Sequence, residues 1–420
     1  MFVNTFWSLV PPIVAIGLAL LTKETYSSLF IGIVVGALLA TDFSPIGALD
    51  TIINDGLTAA IADNAGIFLF LVILGVMVAL VNATGGSAAF GRWAASHIHS
   101  KAGALLATFA LGVLIFIDDY FNCLTVGSVM TPVTDSQRIS RVKLAYLIDA
   151  TAAPICMIAP ISSWAAAVSG VAAKLDTGVS GIQLFIEAIP YNFYSLLTIV
   201  FVITMVVLGV DYGPMAAAEL KAAQTGDLGA LSEEQEEGSS RANMWDMLIP
   251  IILLIIFCVI GLIYVGGFWD PETNAGDFIA AFGDTDAFVG LPWGALIALV
   301  LSIIYLCARR VITFKGAMGC MTKGFNAMVP AILILTFAVS LKSMTGLLGA
   351  ADYVEGLMKQ ASEGLFMLLP AIIFVVACLL AFATGTSWGT FGILIPIVLP
   401  IFNAAPDLQI MGISACLAGA

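Results

Sequence analysis

Residues 102–133, AGALLATFALGVLIFIDDYFNCLTVGSVMTPV, decide the fold. Two adjacent acids, Asp118 and Asp119, interrupt an apolar run, and Asn122 follows them. A carboxylate at membrane depth is costly, so acids there mark ion or proton paths. The apolar arms run over 102–117 and 123–133. A helix rises ~1.5 Å per residue, so the second arm is too short to cross a ~30 Å hydrocarbon core. Lys101 precedes the stretch and Arg138 follows it, which puts both ends on one side. The reading is a re-entrant hairpin with its tip at Asp118–Asn122. Non-helical backbone at that depth must be buried in protein or face a watery cavity.

The whole chain supports a membrane reading. It has 420 residues, 60% apolar and 10% charged, with a mean hydropathy of +1.06. That indicates a polytopic membrane protein with room for about ten helices. The runs are long and continuous, whereas barrel strands would alternate over short segments. Met1–Trp7 has no basic region, so no cleaved signal peptide is expected. The net charge of −13 is concentrated in loops 211–246, with the acidic run Glu233–Glu237, and 267–290. Both read as solvated loops. The seven cysteines form no CxxC and read as buried thiols. His97 and His99 read as surface residues of a short basic loop.

The spans read are Phe6–Thr22, Tyr26–Thr41, Asn64–Thr84, Lys143–Lys174, Pro190–Val210, Met247–Gly266, Leu291–Ala308 and Asn326–Lys342. Pro45–Asp63 carries a helical apolar stripe suited to the membrane interface. With the amino terminus outside and the hairpin re-entrant, twelve of the fifteen Lys and Arg fall on the cytoplasmic side.

The second half repeats the pattern. Leu365–Thr384 and Thr390–Phe402 flank a small polar tip with Thr384, Thr386, Ser387 and Thr390. This hairpin, 365–402, would enter from outside. Each half reads as three spans, a hairpin, a broken span and a closing span, so the halves are inverted. The fold class is therefore an all-α polytopic membrane protein of inverted repeats, each with a re-entrant hairpin and a broken transmembrane helix. The first repeat is 1–210, with its hairpin at 102–133. A cytoplasmic acidic linker spans 211–245, and the second repeat spans 246–420. In Lys143–Lys174 the break lies between Pro154 and Pro160, with Asp149, Thr151, Ser162 and Ser163 beside it. Proline frees helix carbonyls, and freed carbonyls and half-helix ends coordinate ions. By the repeat, a second broken span and a closing helix would follow Ala420, so a longer biological protein is expected.

Two stretches carry a resemblance: FIDDYFNCLTVGSVMTPVTD at 116–135 and AYLIDATAAPICMIAPISSW at 145–164. Together they resemble the NhaC-type Na+/H+ antiporter family of the ion transporter superfamily. The resemblance implies a bacterial-type inner membrane location, paired hairpins and cation-coupled exchange. Members include Na+/H+ antiporters and carriers of small organic acids or amino acids, such as malate–lactate exchangers. It makes Asp118, Asp119, Asn122 and Asp149 the leading cation and proton residues. The family pattern continues with a Gly-Asp-His-Cys-Ser-Pro-type segment that does not occur here.

Adjacent carboxylates repel, so one prefers to hold a proton and Na+ competes with it. The expected Na+ site is Asp118, Asp119 and Asn122. Thr125, Thr151, Ser162, Ser163, Thr384, Thr386, Ser387 and Thr390 are candidate substrate or ion ligands. For the hairpin residues the bland alternative is helix packing, since small polar residues also join helices, and for Thr151, Ser162 and Ser163 it is an ordinary proline kink. The expected function is a Na+/H+ exchanger working by alternating access. The alternative is a Na+- or H+-coupled carrier of a small organic solute, such as a hydroxy acid or an amino acid. No nucleophile–histidine pair lies in the membrane, so an enzyme is not expected. Nor is a cofactor beyond the transported ions. The expected partners are the lipid bilayer, Na+, H+ and at most a small organic solute, with no nucleic acid. The reading admits a homodimer.

Overall fold

The computed structural model describes residues 2–22, 24–116, 119–160, 162, 164–165, 168, 181–229, 241–350, 352–353, 356, 363–384, 387, 390–391, 394–395, 398, 402 and 406–420. The described residues are helical or irregular, with no strand. Five of their helices are long and apolar enough to cross a membrane, the most apolar being Trp245–Val265 at a mean hydropathy of 3.2. The chain is an all-α polytopic membrane protein.

Among the described residues the helices follow the spans read from sequence, with three departures; residues 169–174 of the span Lys143–Lys174 and most of 390–402 lie outside the described residues. Phe314–Leu347 is a single helix of 34 residues, longer than Asn326–Lys342. Helix-forming residues around Lys315 and Lys323 extend it, and ~51 Å of helix exceeds a ~30 Å core. Gly86–His97 is a helix, so His97 ends a helix instead of lying in a loop. It remains an exposed surface residue, with its ring 4.9 Å from that of Trp93. Gly213–Thr225 is a helix within the stretch read as a solvated acidic loop. Pro214 near its start and left-handed Gly226 after its end delimit it. The cysteine reading also needs correction, since Cys123 is exposed while Cys156, Cys258, Cys320 and Cys416 are buried.

The chain forms two compact units that interleave in sequence. The first holds 1–68, 166–192 and 329–420. Its core gathers Ala15, Leu29, Ile33, Ala37, Ala48, Ile52, Leu341 and Met344. Helix Thr25–Ala40 starts at Glu24, whose carboxylate accepts from the amides of Tyr26 and Ser27. Hydrogen bonds from Ser27, side chain first, hold that carboxyl below its ordinary range. Gly32 and Gly36 line one face of this helix. A Cβ at Gly32 would stand 2.9 Å from that of Ala15, and one at Gly36 would stand 2.7 Å from that of Met344. Small residues at this spacing let apolar helices approach closely where no hydrophobic force acts between them.

The interfacial stretch read at 45–63 is helical, with a π-helical part at Ile52–Thr58. Ala48, Ile52, Gly56 and Ala60 are buried at every fourth position. An α-helix drifts about 40° over four residues, and the wider π turns take that drift back. Ile46, Leu49, Ile53 and Ile61 are exposed, an apolar face suited to lipid.

The second unit holds 69–165 and 193–328. Helices Trp245–Val265 and Ala287–Ala308 meet along Gly261, Gly290 and Gly294. A buried fork fastens one end of this pair. Asp246, 0% exposed, accepts Arg309 Nε and Nη2, both at 3.0 Å, and Tyr305 Oη at 3.2 Å.

The hairpin also belongs to this unit. Its first arm is Lys101–Leu114 and its second is Asp119–Ser136. The chain returns to where it began, since Gln137 Nε2 donates to the Ile98 carbonyl at 3.4 Å. Glu219, on the helix Gly213–Thr225, closes the base. Its carboxylate pairs with Lys101 at the start of the first arm and accepts the Ser140 amide, at 2.7 Å, after the second. The Ser140 hydroxyl in turn caps the next helix, Arg141–Cys156. Asp135–Arg141 and Lys143–Asp211 ion pairs reinforce the same base.

Two outcomes follow in purified protein. Gly36→Val should lower stability by about 1–3 kcal/mol through overpacking. Gly17→Val, which meets nothing within 4 Å, should cost less, as read by thermal unfolding in detergent. Glu219→Ala should cost about 2 kcal/mol, the scale of a charged hydrogen bond. It should exceed Lys101→Ala, which spares the Ser140 bond; equal, negligible effects would contradict the closure.

Candidate functional site

At the hairpin tip the first arm ends at Leu114, and Ile115 and Phe116 leave the helix. The last carbonyls of a helix lack partners, and in an apolar setting they must find donors within the protein. Asn122 supplies two. It is 0% exposed, and its Nδ2 donates to the carbonyls of Gly112 at 2.6 Å and Ile115 at 2.9 Å. The Cys156 thiol lies 3.2 Å from the carbonyl of Phe116.

Those two bonds orient the amide of Asn122. Its Oδ1 is buried and, among the described residues, accepts no hydrogen bond. A buried oxygen without a donor is costly unless a water or a cation meets it. Asp119 stands in the first turn of the second arm, where the helix dipole favours an anion. The described helix runs over Asp119–Ser136, so Asp119–Asn122 of the tip read from the sequence are helical, and Asp118 lies outside the described residues.

The break after Cys156 borders this tip. The residues following it form a turn, and Ser162, 2% exposed, donates to the Cys156 carbonyl at 2.6 Å. Its oxygen accepts the Ala165 amide, so Ser162 caps the resumed helix. Trp164, 0% exposed, donates from Nε1 to Asp119 Oδ1 at 3.2 Å. Thr151 is buried against Gly112, where any side chain would collide with its hydroxyl. Its hydroxyl donates to the Leu147 carbonyl at 2.8 Å. Thus Asp119, Asn122, Thr151 and Ser162 come together around the hairpin tip, the last two in supporting roles.

Thr125, 4% exposed, follows Asn122 by one turn. It faces a cavity of about 10 Å³ with Asn82 and Ser87, where Ser87 donates to Asn82 Oδ1 at 2.6 Å. Asp149 is exposed on Arg141–Cys156 and points away from the group that Thr151 joins. Asp118, Ser163 and Thr386 lie outside the described residues, as does the side chain of Thr384. In the other unit Ser387 donates to the backbone oxygen of Ala420 at 2.9 Å, and Thr390 is fully buried. Among the described residues no three His, Cys, Asp or Glu side chains form a metal cluster. Sequence reasoning missed Trp164, Cys156 and Gly112 as partners of the tip. The tryptophan ending the run ISSW was the available signal.

Comparison with known proteins places the chain. The profile of the Na+/H+ antiporter family matches residues 155–406. An uncharacterised protein of Haemophilus influenzae is 34% identical over 435 residues, covering 100% of this chain and 82% of its own. A solved structure of Neisseria gonorrhoeae MtrF, described as illuminating a class of antimetabolite efflux pumps, aligns over 90% of this chain and 75% of its own. The identity is 12% and the TM-score 0.39. On the profile and the relative, the chain belongs to the Na+/H+ antiporter family.

Proposed function

We propose that this protein exchanges Na+ for H+ across a bacterial-type inner membrane by alternating access. The carrying observation is the buried Asn122 Oδ1, fixed by two hydrogen bonds from its own nitrogen and without a donor among the described residues. It supports a cation ligand beside the Asp119 carboxylate. Asp118, adjacent in sequence, completes the proposed set of Asp118, Asp119 and Asn122. Two carboxylates side by side cannot both stay ionised cheaply, so Na+ entering the site expels a proton. Competition of that kind is enough for antiport, provided the site opens to one side at a time.

The alternation rests on the proposed inverted repeats, 1–210 and 246–420, joined by the linker 211–245. Each repeat would bring one hairpin tip to the bilayer midplane. Thr384, Thr386, Ser387 and Thr390 of the second hairpin are proposed as further ion or substrate ligands. Asp149 would take part as a proton-exchanging group at the surface of its helix. The side chains of Thr151 and Ser162 would act by shaping the tip.

The test is radiolabelled sodium uptake into proteoliposomes under an imposed pH gradient, without organic solute. The intact protein should take up sodium, and Asp119→Asn, which keeps an acceptor for Trp164, should lose that uptake while remaining folded. No uptake by the intact protein would reject Na+/H+ exchange and turn the search to hydroxy acids and amino acids as substrates.

A further inference from the structure

The second unit contains a cavity that the transport reading does not use. Its volume is about 140 Å³, a size that takes a benzene-sized body. Its walls are largely apolar: Leu147 on Arg141–Cys156, and Phe201, Met205 and Val206 on Phe193–Leu208. At one end lie Lys143 and Asp211, paired at 2.6 Å with side chains only 7% and 14% exposed. Tyr146 and Tyr212 also line it.

Two features point to a ligand. The first is unused bonding capacity. An ammonium carries three donors and a carboxylate about four acceptor sites. Among the described residues the side chains of Lys143 and Asp211 bond only each other. Charges this buried are stable only when their remaining donors and acceptors are met. The second is position. Phe193–Leu208 buries only Ser195, Val202 and Val206 and exposes Leu197, Val200, Val207 and Leu208. Its outer face is therefore bare apolar surface, and Asp211 follows directly at its end, where a span meets the headgroup layer.

We propose that this cavity binds a zwitterionic aminophospholipid. The phosphate meets Lys143, and the primary ammonium meets Asp211. The apolar part enters the cavity and continues along the open face of Phe193–Leu208. A headgroup carrying both signs turns one buried pair into a closed ring of four charges. A purely anionic headgroup would satisfy Lys143 but oppose Asp211. A trimethylated ammonium has no N–H to give to Asp211. Because Lys143 lies one turn beyond Ser140, an occupant here bears on the closed base of the hairpin.

The test titrates delipidated, full-length protein with phosphatidylethanolamine, phosphatidylcholine and phosphatidylglycerol of matched chains, counted by native mass spectrometry. Phosphatidylethanolamine should bind about tenfold more tightly than phosphatidylcholine, the effect of one charge-assisted hydrogen bond. Met205→Trp, which fills the cavity, should remove that preference. Ile256→Trp, exposed on the separate helix Trp245–Val265, should keep it. Asp211→Asn leaves Lys143 alone and should reverse the order in favour of phosphatidylglycerol. This variant decides the matter should Met205→Trp not fold. Equal binding of the three lipids, as expected of a cavity filled only by water, would overturn the proposal. So would an Asp211→Asn protein that still prefers phosphatidylethanolamine.

Discussion

Everything at the candidate site follows from one constraint: backbone carbonyls freed at a helix end must find donors where water is scarce. The turn at Ile115–Phe116 releases them, and Asn122 answers for Gly112 and Ile115. An apolar residue at 122 would leave two buried acceptors unmet, each costing about 1–3 kcal/mol. An amide that spends its nitrogen in this way must present its oxygen elsewhere. The structural duty of Asn122 thereby produces a fixed, buried, partly negative group beside Asp119. Positioning and chemistry are two ends of the same side chain.

The tip is held from two directions. Around it, Trp164 donates to Asp119, the Cys156 thiol lies against the Phe116 carbonyl, and Thr151 fits against bare Gly112. Far from it, Glu219 gathers Lys101 and Ser140, so both feet of the hairpin share one carboxylate. Charge is used differently at these two places. At the base, acids are neutralised by specific cations, as with Asp246 and Arg309 in the same unit. At the tip, the Trp164 indole N–H donates to the Asp119 carboxylate, a neutral donor where the base uses cations.

Much of this was legible in the chain. The polar interruption at 118–122, flanked by basic residues, was enough to read a hairpin, and the Pro-bounded run 154–160 was enough to read a break. Register was less legible. Asp119–Asn122 are helical where the sequence reading placed a tip. The helix Gly213–Thr225 lies in a stretch whose acidic composition hides its proline start and glycine end. Glu219 could not have been singled out, since its partners lie far away in sequence. Asp149 and Thr151 read alike beside the break, yet residues two apart on a helix face nearly opposite ways. Thr151 meets Gly112, while Asp149 is exposed.

The central claim is that the oxygen of Asn122 is a cation ligand. The most direct measurement is a high-resolution density map of the protein in sodium, compared with one in choline. The account predicts a density between Asn122 Oδ1 and the Asp119 carboxylate that is present in sodium and absent in choline. A protein donor on Asn122 Oδ1, or the same density in both maps, would contradict it.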